Sequence, residues 1–134
     1  MKIRQLLHWL RQFDSWLIPP ALALVIWGEL THSQISAELF PHVWDKVLHF
    51  TAYFGLALMT TIAVRADRRA LWWALGLILL GGVLEIVQGA TGRDADIHDE
   101  LANTLGVLAG SGLSWAGIAL LKARGLVDGK DSAS

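Results

Sequence analysis

Cysteine is absent from this chain, which excludes a disulfide framework, a thiol nucleophile and a thiolate-ligated metal. Charge is scarce too: 17% of the 134 residues are Asp, Glu, Lys or Arg, against 54% that are hydrophobic. A soluble domain of this size needs more charge to cover its surface. The basic residues are few and scattered, so they make no face that could track a phosphate backbone, and a nucleic-acid module is excluded. Internal repeats, HExxH spacing and calcium-loop spacing are all missing.

What the chain does have is apolar blocks. Four segments are long enough to cross a hydrocarbon core of about 30 Å at about 1.5 Å per residue. They cover residues 16–36, 47–64, 70–90 and 101–121. The first is the weakest, because Pro19-Pro20 suits a first turn and Glu29 and His32 interrupt it later. The connections are short, so neighbouring spans run antiparallel. Ahead of them, Ile3, Leu6, Leu7, Leu10 and Phe13 share one helical face, with Lys2, Arg4 and Arg11 elsewhere. That pattern predicts a short amphipathic interfacial helix over residues 1–14. The expected fold is an all-α membrane protein: a four-transmembrane-helix bundle over residues 15–121, preceded by this helix. A polar, disordered tail over 122–134 follows.

The net charge of −1 becomes informative once it is split by side. With the N-terminus in the cytoplasm, nine of the 11 Lys and Arg residues fall inside and only Lys46 and Arg93 fall outside. This bias places both termini in the cytoplasm and Arg65, Arg68 and Arg69 as topology determinants. Trp44 and Tyr53 then fit an outer aromatic belt, and Trp16 an inner one.

On that orientation the polar residues of different spans share one depth. Glu85 lies inside the third apolar run, with Gln88 on the same face at i, i+3. Asp45, His49 and Tyr53 repeat every four residues at the start of the second span, beside Lys46. Asp99 and Asn103 open the fourth, and Glu29 falls in the outer half of the first. All lie within about 10 Å of the outer edge of the hydrocarbon. An ionisable residue inside a membrane span is costly, so each needs a partner or a function. Arg93, the only cation of the loop Thr91-Gly-Arg-Asp-Ala-Asp-Ile-His-Asp-Glu100, is the expected partner of Glu85 or Asp99.

These residues, in this order, resemble the VanZ-like family of small bacterial membrane proteins. The matching elements are Asp45-Lys46-x-x-His49-Phe50-x-x-Tyr53 and Glu85-x-x-Gln88. They are followed by Gly92-Arg93-Asp94-x-Asp96-x-x-Asp99-x-x-Ala102-Asn103-x-x-Gly106-x-x-x-Gly110. The resemblance covers roughly residues 30–112, and His98 and Glu29 belong to none of these motifs. It implies a multi-pass protein of the bacterial cytoplasmic membrane that acts on the cell envelope, or that alters susceptibility to teicoplanin-type glycopeptides.

Two roles stand open for the polar layer. In one, Glu85 and His49 are acid–base catalytic candidates, while Asp45, Lys46, Tyr53, Gln88, Arg93, Asp99 and Asn103 bind a lipid-linked, headgroup or glycopeptide ligand at the outer leaflet. In the other, the same groups are a structural ion-pair network in a non-catalytic binding or shielding module. Asp94, Asp96, His98 and Asp99 offer ligand types suited to a divalent ion, but an acidic loop capping the fourth helix explains them as well. The expectation is therefore no metal and no cofactor, with membrane lipids as partners and no nucleic acid.

Overall fold

In a computed structural model, residues 3–31, 42–92 and 95–127 are described. They form four helices: α1 (Ile3–Thr31), α2 (His42–Ala63), α3 (Arg69–Ala90) and α4 (Ile97–Ala123). Each contains a stretch long and apolar enough to cross a membrane, and no strand occurs among the described residues.

The amphipathic segment and the first span, expected as separate elements, are one helix of 29 residues. Nothing between Asp14 and Trp16 breaks it, and Pro19-Pro20 sits inside it with its fixed φ already helical. The missing N–H groups release the carbonyls of Ser15 and Trp16, about 24 Å along the axis from Thr31. At about 43 Å, α1 is longer than the hydrocarbon is thick. Its N-terminal part leaves Leu6, Trp9, Leu10 and Phe13 exposed, as expected of a segment solvated by lipid. The other helices match their expected spans, but α2 and α4 begin several residues earlier, at His42 and Ile97. The difference matters, because it puts Asp45, Lys46 and Asp99 fully on first helical turns and moves Glu100 there from the loop.

The closest pair is α2 with α4, and small residues make it so. A Cβ on Gly106 would press on the Phe50 carbonyl oxygen and lie 3.0 Å from the Phe54 nitrogen. One on Gly110 would press on the Phe54 carbonyl oxygen and lie 3.1 Å from the Leu58 nitrogen. Gly106-x-x-x-Gly110 therefore sets backbone against backbone, as small residues do between membrane helices. Ser114 continues the row, its hydroxyl donating to the Leu58 carbonyl at 3.3 Å. Around this seam Tyr53, Leu56, Ala57, Leu77 and Val107 form the buried core. Helix α1 packs on α2, and α3 packs on α4 at Gly81, which faces Glu100 and Asn103. The α2–α3 turn carries Arg65 and Ala66 at φ of 58° and 51°, a left-handed turn closed by Ala66 N–H to the Thr61 carbonyl at 2.9 Å.

Candidate functional site

Four helix ends meet at one end of the bundle: the last turns of α1 and α3 and the first turns of α2 and α4. Asp96 organises this end. As the N-cap of α4 its side chain accepts the His98 backbone N–H at 2.9 Å, satisfying one of the open donors of the first turn. Lys46 of α2 reaches across to donate to Asp96 Oδ2 at 2.8 Å and to Asp99 Oδ1 at 2.9 Å. The Lys46 ammonium, helped by the His98 N–H groups, holds the Asp96 carboxyl well below the usual carboxylate range. Asp99 is buried, its side chain 10% exposed, so this lysine is the charge that makes its burial tolerable.

Glu85 does not meet Lys46. Its Oε2 accepts the Asp96 backbone N–H at 3.2 Å, which ties α3 to the start of α4, and its Oε1 is buried without a hydrogen bond among the described residues. Arg93, the partner expected for it, lies outside the described residues, as does Asp94. Gln88, on the same face, turns toward α1 and donates to the Glu29 backbone carbonyl at 2.8 Å.

His49 sits at the centre of the layer. Its Nδ1 is 3.1 Å from Asn103 Oδ1 on α4 and 3.6 Å from Glu29 Oε1 on α1. Its Nε2 lies 3.9 Å from Asp45 Oδ1, one turn back on α2. The sequence pairs His49 with Asp45 through their i, i+4 spacing, and the structure keeps that proximity while adding Glu29 as the nearer acid. Tyr53 is a correction: it is fully buried, so it cannot belong to an aromatic belt, and its hydroxyl has no hydrogen-bond partner among the described residues. Trp44 and Trp16 are exposed.

Sequence reasoning left Glu29 without a role and passed over Glu100. Glu29 carries the same signal as Glu85, an acid inside an apolar span, but no motif points to it. Glu100 accepts from Asn103 Nδ2 at 3.4 Å and from the Thr104 hydroxyl at 3.3 Å, and it faces Gly81 of α3. Only the packing of α3 on α4 makes it part of the layer. His98 is exposed, and its Nδ1 lies 2.7 Å from Asp96 Oδ1.

A cavity of about 290 Å³ opens between α1 and α2 at this end, with Gln88 of α3 as part of its lining. Glu29, Asp45, His49 and Gln88 give it a polar end, while Leu24, Val25, Leu48 and Ala52 give it an apolar wall. Lys46 is not among its lining residues, because its ammonium is committed to Asp96 and Asp99. Asp45, His49 and Asp99 could also hold a cation, since one ligand atom from each lies within 4.8 Å of the others.

A family model described as VanZ/LLP1 matches residues 3–121 of the chain. No curated protein and no solved structure gives a significant match.

Proposed function

The chain belongs to the VanZ-like family, and from that membership we propose that it holds the polar head of an amphiphilic envelope molecule in the cavity between α1 and α2. The cavity is the observation that carries this reading. Asp45 and Glu29 lie near the end of the bundle, while Val25 and Ala52 lie about 6–10 Å deeper along their helices. That order, polar at the boundary and apolar beneath, matches the order of headgroup and chain within one leaflet. Acids, an imidazole and an amide at the polar end favour a head rich in donors, such as sugar hydroxyls or an ammonium, over a phosphate. A volume of about 290 Å³ suits one headgroup or one sugar ring, not an entire glycopeptide antibiotic. An effect on teicoplanin-type susceptibility would therefore act through an envelope lipid or through one part of the drug.

If the site also does chemistry, His49 is the proton carrier and Glu29 is the acid beside it, at 3.6 Å. Glu85 is then a brace, because its carboxylate faces the Asp96 backbone and not the imidazole. A purely structural polar layer is the second reading, favoured by Lys46 bridging Asp96 and Asp99.

Gly28 lines the cavity, and a Cβ there meets nothing within 4 Å. Gly28→Leu should therefore fill the mouth without disturbing the fold. Native mass spectrometry of the purified protein, mixed with a total envelope-lipid extract, should show a retained amphiphile that Gly28→Leu loses. Equal retention by both forms would refute the cavity as the binding site. Chromatography of the same extract after incubation separates binding from chemistry, because only an enzyme would alter the retained lipid.

A further inference from the structure

We propose that Asp45, His49 and Asp99 form a divalent-cation site of the class served by mixed nitrogen and oxygen ligands, such as Mn2+, Zn2+ or Fe2+. The inference does not depend on an amphiphile occupying the cavity. It begins with the tautomer of His49. Asn103 donates its amide nitrogen to Glu100, which turns Oδ1 toward the imidazole. A carbonyl oxygen can only accept, so Nδ1 of His49 carries the proton, and the Glu29 carboxylate 3.6 Å away favours the same assignment. In the neutral ring, Nε2 is then a lone pair. It faces the Asp45 carboxylate at 3.9 Å, too far for a hydrogen bond, and one ligand atom from each of Asp45, His49 and Asp99 lies within 4.8 Å of the others.

An imidazole that is 9% exposed and two carboxylates thus bring their ligand atoms into one small volume. Three ligand atoms sharing one metal at about 2.0–2.2 Å lie about 3.3–3.8 Å apart, so binding would draw these side chains together by up to about 1–1.5 Å from their 4.8 Å limit. Two ligands come from one face of α2 at i, i+4, and the third from the first turn of α4, so the most closely packed helix pair fixes the geometry. Asn103 on the second imidazole nitrogen and Lys46 on Asp99 are the outer partners that orient metal ligands. Imidazole among the ligands favours transition ions over Ca2+ or Mg2+.

Charge points the same way. Glu29, Asp45, Glu85, Asp96, Asp99 and Glu100 share this end of the bundle, and Lys46 is the one Lys or Arg among the described residues there. A low-dielectric layer with that surplus attracts a further cation. This trio is not the one the loop sequence suggests. Asp96 is already engaged as cap and ion pair, and His98 points outward.

The test uses the full chain in detergent, stripped with a chelator and titrated with Mn2+ under paramagnetic resonance detection. About one Mn2+ per chain should bind, with pulsed spectra showing the nitrogen coupling of an imidazole ligand. Asp45→Asn should weaken binding about tenfold or more. His49→Gln should abolish the nitrogen coupling, and His98→Ala should change neither. Asp45 is half-buried and on a first turn, so its variant is expected to stay folded, which helicity and gel filtration check. Failure to bind Mn2+ would overturn the proposal and leave His49 as an imidazolium among acids. Binding that survives both Asp45→Asn and His49→Gln would overturn it equally.

Discussion

Gly106→Ala tests the contact on which the polar layer hangs. The new methyl would meet the Phe50 carbonyl oxygen, with the Phe54 nitrogen at 3.0 Å and the Phe50 carbonyl carbon at 3.2 Å. These are backbone atoms of α2, so no rotamer change can make room. Restoring ordinary contact at about 3.5 Å or more requires α2 and α4 to part by roughly 1 Å. Overpacking of this kind costs about 1–3 kcal/mol. One turn away, the 3.1 Å contact between His49 and Asn103 would stretch beyond hydrogen-bond range, adding about 0.6 kcal/mol. Better helix propensity returns about 0.5–1 kcal/mol, so the net loss is about 1–3 kcal/mol. Gly112→Ala is the internal control, because a Cβ there meets nothing within 4 Å. It keeps only the propensity gain and should be neutral or stabilising by up to about 1 kcal/mol. Reversible unfolding in mixed micelles with rising dodecyl sulfate, followed by tryptophan fluorescence, measures both. Equal stabilities for the two variants would refute the backbone contact between α2 and α4.

Lys46→Met removes the cation shared by Asp96 and Asp99; because a third of the lysine side chain is exposed, the cost should be about 1–3 kcal/mol, less than for a fully buried pair. Adding Asp99→Asn should recover part of it, and strict additivity in the same unfolding assay would show that the two groups do not interact. Asp96 titrates lower in the folded protein, so it contributes stability that is complete above its unfolded value of about 3.9 and is lost as pH falls below that range. Thermal melts should drop progressively as pH falls below about 4, and Asp96→Asn should be less stable at neutral pH with a flatter acid limb. In a chain without native cysteine, single cysteines at Ala95 and Ala123, both exposed, should label from outside and inside respectively. The reverse pattern would invert the bundle and move the polar layer to the cytoplasmic leaflet.

Particular residues show how far the sequence could be read. Glu85 was legible as a residue needing a partner because an acid inside a long apolar helix stands out in the sequence. Its partner was not legible, since complementary charge suggests Arg93 or Lys46, whereas the fold supplies the Asp96 backbone N–H. Glu29 gave the same signal but lies far from the motifs along the chain, and only α1 packing on α2 brings it to His49. Tyr53 looked like a belt residue by depth alone. Rotation about the helix axis decides whether a residue at that depth meets lipid or protein, and α2 turns Tyr53 inward.

By itself the sequence determined the number of spans, the membrane class, the family and the gathering of polar groups at one end of the bundle. Those properties follow from hydrophobic length and from residue order, which are one-dimensional. The tertiary structure alone decided which polar group meets which: Lys46 with Asp96 and Asp99, Glu85 with a backbone amide, and Glu29 with His49. Hydrogen bonds and metal ligation depend on ångström-scale separations and on the rotation of each helix. Those were fixed only when Gly106 and Gly110 let α4 close against the backbone of α2.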